Sequence, residues 1–297
     1  MSWEKIIQTV MAFFRLVRYK NLIITILVQF MVYYCLIEGH IHFPAQWILL
    51  IVGATVLIAS GGYIINDFYD LKADIINHPE TVILGKRIKM STAVFLYLML
   101  NLIAFYFGVV IGLKYDRWMF ILLFVIIAII LYSYARKLKR TPLIGNITVA
   151  VLLSFTLVIV WLYKAGDYPE LLLLYASFAF LTGIIRELLK DLEDMEGDLK
   201  AGFFTFPISQ GVPKSKQLVI WLTLLQIVAI IFFSLLVYGM TAYWALMVYF
   251  FLLVLVPLSL TLNLIQKAQS SNDYAQLTRF IKFIVVTGTV SMFALLL

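Results

Sequence analysis

The sequence has few charged residues and almost no cysteine. Of its 297 residues only 13% are charged, whereas 63% are hydrophobic and the mean hydropathy is +1.00. Soluble domains are about 45–50% apolar and about 25% charged. A soluble fold could not bury so many apolar side chains, so the bilayer must be the solvent. Cys35, the single cysteine, excludes an internal disulfide and is interpreted as a small core residue.

Several catalytic signatures are also missing from the sequence. It contains no Ser-His-Asp set, no cluster of cysteine and histidine with metal-ligand spacing, and no P-loop. The D-G-x-x-A-R signature of phosphatidyl-group transferases is absent as well. The net charge of +7 is compatible with nucleic-acid binding. In a membrane protein, however, it more often reflects loops rich in lysine and arginine, and we expect no nucleic-acid partner.

Long apolar runs are what the sequence does contain. A bilayer span needs about 20 mostly apolar residues. Nine such stretches are present, approximately at residues 22–38, 46–65, 91–112, 117–134, 143–163, 171–189, 217–238, 242–265 and 279–297. The sequence therefore predicts an all-α, polytopic membrane protein with nine transmembrane helices, formed as a single domain over residues 1–297.

The distribution of basic residues supports this count. If the N-terminus is cytoplasmic, only Lys114, Arg117 and Lys164 of the 23 basic residues fall on the outer side. An excess of lysine and arginine on the cytoplasmic side is the rule for membrane proteins. We therefore expect an integral membrane protein, in the inner membrane if the cell is bacterial. Its N-terminus and the segments 66–89 and 190–216 should lie on the cytoplasmic side.

More than half of the 16 acidic residues lie in those two segments, in two motifs of equal spacing. The first reads N-D-x-x-D-x-x-x-D from Asn66 to Asp74, and the second reads D-x-x-D-x-x-x-D from Asp191 to Asp198. Positions i, i+3 and i+7 share one face of a helix, where three like charges repel each other. The pattern therefore predicts a bound cation, and Mg²⁺ prefers carboxylates and substrate phosphates. The predicted metal ligands are Asn66, Asp67, Asp70, Asp74, Asp191, Asp194 and Asp198, with Asp67, Asp70, Asp191 and Asp194 as the catalytic carboxylates.

Basic and polar residues beside the motifs are candidates for binding a diphosphate and its acceptor. They are Arg18, Asn21, Lys72, Lys86, Arg87, Tyr132, Ser133, Lys139, Arg140, Lys190 and Lys200. Membrane topology alone also explains a lysine on this side, and an interfacial aromatic belt also explains Tyr132. Gly61 and Gly62, one turn before the first motif, favour close helix contact or a kink.

These residues resemble the UbiA superfamily of intramembrane prenyltransferases. Both acidic motifs of that family are present in full. The likeness extends through Arg18-x-x-Asn21, Tyr132-Ser133, the K-R-x-x-x-I-G-N stretch from Lys139 to Asn146, and the G-x-x-T-x-P stretch from Gly202 to Pro207. The resemblance implies nine helices around a central cavity and Mg²⁺-dependent transfer of a prenyl group from a prenyl diphosphate to a lipophilic acceptor.

The second motif resembles the branch of that family that makes digeranylgeranylglyceryl phosphate. The chlorophyll and homogentisate branches are similar there. One departure concerns the donor: the family usually continues with N-R-P-x-R-P, whereas this chain has N-H-P-E-T-V from Asn77 to Val82. Both arginines are missing, so either Lys86 and Arg87 replace them or the donor is handled differently.

Three functions are weighed on these residues. The first is Mg²⁺-dependent prenyl transfer with a geranylgeranyl-type donor, to geranylgeranylglyceryl phosphate or, as the alternative acceptor, to an aromatic quinone or chlorin precursor. For the first acceptor, Lys139 and Arg140 would bind the phosphate. The second is a cation-coupled transporter, although transporters place charged sites near the bilayer midplane. The third, phosphatidyl-group transfer, lacks its signature.

Overall fold

The structure is a computed structural model and describes residues 3–41, 43–237 and 244–296. Within these residues the secondary structure is helical, and a single isolated bridge joins Leu84 and Ile88. Nine described segments are long and apolar enough to cross a membrane, which confirms the predicted number and the all-α class. They are Tyr19–Glu38, Gln46–Asn77, Met90–Tyr115, Met119–Arg136, Ile144–Tyr163, Pro169–Glu193, Val212–Leu235, Met247–Lys267 and Ser271–Leu296.

The α-helices are numbered in chain order. They are α1 Trp3–Leu16, α2 Tyr19–Met31, α3 Gln46–Asn77, α4 Met90–Tyr115, α5 Met119–Arg136, α6 Ile144–Tyr163, α7 Pro169–Glu193, α8 Met195–Lys200, α9 Phe206–Gln210, α10 Val212–Val237, α11 Trp244–Phe250, α12 Val256–Lys267 and α13 Ser271–Val290. π-helical turns follow α2 (Val32–Glu38) and α11 (Phe251–Leu255). 3₁₀ turns occupy Leu138–Arg140 and Ser291–Leu296. Residues 238, 242, 243 and 297 of the predicted spans lie outside the described residues.

Local sequence explains several of the helix ends. α3 ends at Asn77 because Pro79 excludes the helical conformation from the residue before it, and His78 indeed has φ −140° and ψ 54°. α7 begins with a proline at its first position, where no backbone N–H is needed. α13 begins with a capping box between Ser270 and Asp273. These signals place the polar ends of α3 and α7 directly after their apolar stretches.

The chain divides into two compact units. The first contains the residues up to Ile26, Pro44–Lys139 and Glu196–Gly202. In it α3 packs against α4 and α5, and α1 lies against α3. Its core joins α1 and α2 to α3 and to the turn that precedes α4, through the buried residues Ala12, Leu16, Val17, Leu22, Ile64, Leu84, Ile88 and Ala93.

Two adjacent glycines let α3 pack closely on both neighbours in this unit. A Cβ at Gly61 would lie 2.7 Å from Nδ2 of Asn101 in α4. A Cβ at Gly62 would lie 3.0 Å from Cδ1 of Leu131 in α5. The predicted role of this pair in close helix contact is confirmed. The glycines therefore fix α3, and the acidic motif at its end, against α4 and α5.

The second unit contains Leu27–Phe43, Arg140–Met195 and the residues from Phe203 onward. α7 is its centre and packs against α6, α10 and α13. Polar pairs within it are hydrogen-bonded, as burial away from water requires. Gln226 Nε2 donates to Thr182 Oγ1 at 2.6 Å. Cys35 is buried in this unit, which confirms its predicted place in the core.

Candidate active site

The first acidic motif forms the end of α3. Asp67, Asp70 and Asp74 lie within one uninterrupted helix, so the predicted stripe on one helical face is confirmed. Asp70 is almost fully buried, with 2% of its surface exposed. A buried carboxylate is stable only when it is paired and hydrogen-bonded. Its partners therefore define the site.

Asp70 is held by one amide and one ammonium group. Asn66, one turn earlier, donates from Nδ2 to Asp70 Oδ2 at 2.6 Å. Lys139 Nζ forms a salt bridge with the same oxygen, and its side chain is only 12% exposed. Burial disfavours the charged ammonium, but the negative charges of Asp70 and Asp198 outweigh it and raise the pKa of Lys139 well above its usual value. Lys139 therefore stays charged and compensates a carboxylate from each motif.

Asp67 is paired with a cation from the segment between α1 and α2. Arg18 Nη2 donates to Asp67 Oδ1 at 2.8 Å, and the Arg18 guanidinium lies 5.1 Å from the ring centre of Tyr63. Burial lowers the pKa of Arg18, but the charge of Asp67 more than offsets this, so that its pKa is raised. Arg18 has a left-handed backbone, with φ +53°, which non-glycine residues seldom adopt. Asp67 and Asp70 thus have separate cationic partners, Arg18 and Lys139.

The second motif is not one continuous helix. α7 ends at Glu193, Asp194 follows with φ −94° and ψ 4°, and α8 begins at Met195. The prediction that Asp191, Asp194 and Asp198 share one helical face is therefore wrong. The bond that would continue the helix, from Gly197 N–H to the Glu193 carbonyl, is replaced at both ends. Gly197 N–H donates to Asn77 Oδ1 at 2.8 Å, and the Glu193 carbonyl accepts from Ser271 Oγ at 2.9 Å.

The break distributes the carboxylates of the second motif. Asp191 accepts a hydrogen bond from Asn146 Nδ2 at 2.8 Å, within the second unit. Asp194 is 8% exposed and belongs to the same unit. Asp198 is 2% exposed and belongs to the first unit, together with Lys139 and the first motif. Four aspartates, Asp67, Asp70, Asp74 and Asp198, are therefore gathered in the first unit.

The remaining predicted residues fall into three groups. Tyr132 and Ser133 are neighbours in the last turns of α5. The hydroxyl of Tyr132 lies 3.2 Å from the hydroxyl of Tyr69 in α3. Lys72, Lys86, Arg87 and Lys200 have exposed side chains; Lys86 Nζ donates to the Pro79 carbonyl at 2.7 Å, and Lys200 Nζ bonds Glu196 at 2.5 Å. Lys190 and Asn21 are half-buried, and the Asn21 backbone N–H donates to the Arg18 carbonyl at 2.8 Å.

Lys139 and Arg140 have different partners although they are adjacent. Lys139 pairs with Asp70, whereas the Arg140 guanidinium stacks on Phe203, 4.8 Å from the ring centre. The contacts therefore do not favour a joint grip by the two residues on one phosphate. Sequence reasoning assigned no role to Asn77, Tyr69 or Asn146. Asn146 stands in the quoted K-R-x-x-x-I-G-N stretch, and Asn77 stands directly before the helix-ending His78-Pro79 pair; these were the available signals.

The ligands in the first unit fit a hard divalent cation. Asn66 Oδ1 is buried and has no hydrogen-bond partner. A buried amide oxygen rarely stays unpaired, because its desolvation costs free energy. It stands in the same turn as Asp67 and Asp70, and Mg²⁺ takes oxygen ligands of these two kinds. The donor set thus suits Mg²⁺ in chemistry as well as in charge.

A family model decides the relationship to known proteins. The model described as the UbiA prenyltransferase family matches residues 23–284. This chain belongs to the UbiA prenyltransferase family. The matched range includes both acidic motifs. Of the nine described membrane spans it covers seven in full, and it covers Tyr19–Glu38 and Ser271–Leu296 in part.

Two relatives of this chain carry the same name. The digeranylgeranylglyceryl phosphate synthase of Methanobrevibacter smithii is 37% identical over 177 residues, which cover 58% of this chain and 61% of the relative. The synthase of the same name from Sulfurisphaera tokodaii is 33% identical over 208 residues, covering 70% and 72%. The match thus spans between three fifths and three quarters of these relatives.

Solved UbiA structures share the fold. A structure of a digeranylgeranylglyceryl phosphate synthase in membranes has a TM-score of 0.68 at 22% identity and covers 96% of this chain and 99% of its own. A UbiA homologue from Archaeoglobus fulgidus, bound to GPP and Mg²⁺, has a TM-score of 0.67 at 14% identity and covers 95% and 99%. At these identities the likeness establishes the UbiA fold.

Proposed function

We propose that this UbiA protein transfers a prenyl group from a prenyl diphosphate to a lipophilic acceptor, with Mg²⁺ held by its aspartates. The observation that supports this most strongly is the buried Asp70, with Asn66 and Lys139 on the same carboxylate oxygen and an unpaired Asn66 oxygen beside it. Asp70 lies in the last third of α3, towards the end of the helix, where an amphiphile can place its head group. A transporter would need its charges near the bilayer midplane.

The residues then have distinct tasks. Bound Mg²⁺ would neutralise the negative charge that develops on the diphosphate as it leaves. Asp67, Asp70, Asp74 and Asp198 would hold it in the first unit, and Asp191 and Asp194 form a second set of carboxylates. Lys139 and Arg18 offset part of the negative charge of these carboxylates, which lessens their repulsion of the diphosphate.

The transfer itself breaks one bond and forms another. The bond between prenyl C1 and the diphosphate oxygen breaks, and its electron pair leaves with the diphosphate. The acceptor oxygen forms the new bond to C1 and loses its proton to a carboxylate. Because C1 becomes cation-like, the acceptor must be held about 3–3.5 Å away and water excluded. The burial of Asp70 and Asp198 supports the exclusion of water from this site.

For the acceptor we propose geranylgeranylglyceryl phosphate, with a geranylgeranyl-type donor. The relatives at 33% and 37% identity, both named digeranylgeranylglyceryl phosphate synthase, support this choice. The resemblance of the second acidic motif to the branch that makes digeranylgeranylglyceryl phosphate supports this acceptor as well. Arg140, stacked on Phe203 and with its buried Nε unpaired, is the cation we assign to the acceptor phosphate. An aromatic quinone or chlorin precursor is the alternative acceptor.

The test is an assay of diphosphate release by the purified chain with labelled geranylgeranyl diphosphate and a panel of acceptors. We expect turnover with geranylgeranylglyceryl phosphate, its loss on chelation with EDTA and its return with Mg²⁺. Asp70→Ala and Asp194→Ala should abolish turnover while the protein stays monodisperse in detergent. Asp167→Asn, at an exposed loop position, is the control and should be as active as wild type. Near-wild-type turnover by a folded Asp70→Ala, Asp194→Ala double variant would overturn the mechanism, and exclusive use of a quinol would overturn the acceptor.

We also propose that the N-terminus and both motifs face the cytoplasm. In a Cys35→Ser background, single cysteines at Ile75 and Arg136, both exposed, should react with impermeant reagents from the same side. Labelling of the two positions from opposite sides would refute the proposed topology.

A further inference from the structure

The first helix, α1, exposes an apolar face. Large apolar side chains on it have between 47% and 80% of their surface exposed; they are Trp3, Ile7, Val10, Met11 and Phe14. Residues spaced at i, i+4, i+7 and i+11, as Trp3, Ile7, Val10 and Phe14 are, lie on one side of a helix. A contiguous apolar stripe of this kind marks an interaction surface. The exposed side of α1 is therefore suited to contact with another apolar surface.

The other side of α1 already packs against the protein. Ala12 and Leu16 are buried in a core cluster that includes Leu84 and Ile88, two residues of the connection between the second and third membrane spans. This contact places α1 at the level of a span end rather than in the middle of the bilayer. With 14 residues, α1 is about 21 Å long, which is less than the roughly 30 Å of hydrocarbon that a span must cross. We therefore expect α1 to lie along the membrane surface.

The surroundings of the exposed face match a lipid surface. The exposed apolar surface continues along the chain onto the first membrane span, where Ile23 is 57% exposed. Two cations beside it, Arg15 and Lys20, are also exposed and can meet lipid phosphates. Trp3 has the type of side chain that is enriched at the boundary between membrane and water. An apolar helix face flanked by cations fits the boundary between acyl chains and head groups.

Arg18 connects α1 to the candidate active site. Its backbone N–H donates to the Arg15 carbonyl in α1, and its carbonyl accepts from the Asn21 N–H in α2. Its left-handed φ of +53° is unfavourable for a residue other than glycine and persists only where the surroundings fix it. The side chain of the same residue donates to Asp67 at 2.8 Å. A change in the orientation of α1 would therefore act directly on the cation that pairs with Asp67.

We propose that α1 binds the surface of the lipid bilayer through its exposed apolar face, and that this contact holds Arg18 in position to pair with Asp67. When α1 leaves the bilayer, the Arg18 backbone is released and its pair with Asp67 weakens. The carboxylates of the first motif then repel a diphosphate more strongly. This last consequence rests on the proposed function, whereas the binding of α1 to lipid and its effect on the Arg18 backbone do not.

The first experiment locates α1 relative to the lipid. The full-length chain with Cys35→Ser is reconstituted into liposomes of phosphatidylcholine and phosphatidylglycerol, with a fluorescent label on a single cysteine, Val10→Cys or Gln8→Cys. Two residues apart is about 200° around a helix, so the exposed Gln8 lies opposite Val10. We expect a quencher attached to the acyl chains to act on position 10, and iodide in the water to act on position 8. Equal quenching of both positions by iodide would overturn the proposal. Energy transfer between labelled copies, with position 10 inaccessible to the lipid quencher, would show that a second copy covers the face and would also overturn it.

The second experiment tests the connection to Arg18. Ile7→Ser with Val10→Ser removes apolar surface without touching the core, and Gln8→Ser on the opposite side is the matched control. In liposomes we expect hydrogen exchange of residues 17–22 to rise about fivefold or more in the double variant alone. The Kd for inorganic diphosphate with Mg²⁺ should rise by about the same factor, but by less than about twofold when Arg18→Gln is already present.

Each outcome of the second experiment has one meaning. Unchanged hydrogen exchange in a variant that has lost lipid quenching would overturn the link between α1 and Arg18. Full, additive losses of diphosphate affinity in the Arg18→Gln background would overturn it as well. If the wild type does not bind diphosphate, the proposed function is wrong, and hydrogen exchange still decides whether bilayer contact of α1 holds Arg18.

Discussion

The side chain of Asn77 accepts a hydrogen bond from the backbone N–H of Gly197 at 2.8 Å, across 120 residues of sequence. Asn77 is the last residue of α3, and Gly197 lies in α8 beside Asp198. A Cβ at position 197 would lie 2.5 Å from the amide group of Asn77. Glycine is thus required at 197 so that Asn77 can approach, and this contact joins the end of the first motif to Asp198.

Replacing Gly197 with alanine should therefore break this contact. The Asn77 amide must move away from the new methyl group and lose its hydrogen bond, which costs about 0.5–1.5 kcal/mol. We expect turnover to fall about tenfold, because Asp198 loses its anchor to α3. Unfolding in detergent and diphosphate release measure the two effects. An Asn77→Ala, Gly197→Ala double variant should be no worse than Asn77→Ala alone; additive losses would show that the two residues act separately.

Lys139 should be essential for stability as well as for activity. Lys139→Met leaves Asp70 buried without its cation, and breaking a buried pair in this way costs about 3–5 kcal/mol. A large drop in the unfolding temperature is expected, together with the loss of turnover. Adding Asp70→Asn should restore most of the stability but none of the activity. Lys137→Met, at an exposed position two residues away, should behave as wild type. Full stability of Lys139→Met would contradict the pairing seen here.

Asn66 should contribute to metal affinity through its unpaired oxygen. Asn66→Leu keeps a similar volume but removes this buried acceptor. After treatment with EDTA, the Mg²⁺ concentration for half-maximal activity should rise about tenfold or more. Asn263→Leu, at an exposed position of α12, is the control and should titrate as wild type does. An unchanged Mg²⁺ dependence of Asn66→Leu would remove Asn66 from the ligand set.

The close contact at Gly61 predicts a pair of compensating substitutions. Gly61→Ala places a methyl group 2.7 Å from Asn101 Nδ2, so the amide must move and lose its hydrogen bond to the Tyr97 carbonyl, which costs about 0.5–1.5 kcal/mol. The unfolding temperature should fall accordingly. Shortening the partner with Asn101→Ala in the same chain should recover most of the loss. If Gly61→Ala alone unfolds at the wild-type temperature, α3 and α4 are further apart than described.

Features that depend on the local period of the sequence and on the length of apolar runs could be predicted. The nine spans follow from apolar runs of about 20 residues, and the stripe of Asp67, Asp70 and Asp74 follows from the 3.6-residue period. The pairing of Asp70 with Lys139 does not, because the two residues are 69 positions apart and any of several nearby lysines carried the same charge. Sequence spacing could not tell that Lys139 faces Asp70 while Arg140 stacks on Phe203.

The error in the second motif has a specific cause. The spacing of Asp191, Asp194 and Asp198 is compatible with a helix, and nothing local forbids one. The helix ends at Glu193 because Gly197 N–H donates to Asn77 instead. Glycine also favours such a break, since it loses the most backbone entropy in a helix. Only the distant partner of this hydrogen bond distinguishes a break from a continuous helix.

The order of synthesis separates Asp67 from Asp70, two of the three carboxylates of the first motif, in the time at which each can meet its cation. When Asp67 leaves the ribosome, Arg18 has already been made, 49 residues earlier. Asp70 leaves at almost the same moment, yet Lys139 follows only 69 residues later. At about 5–20 residues per second, Asp70 waits roughly 3–14 s for its counter-ion. During this interval only water can compensate the charge of Asp70 in place of Lys139, because an unpaired carboxylate is costly to bury. The burial of Asp70 seen in the finished structure thus depends on a residue that is made after α5.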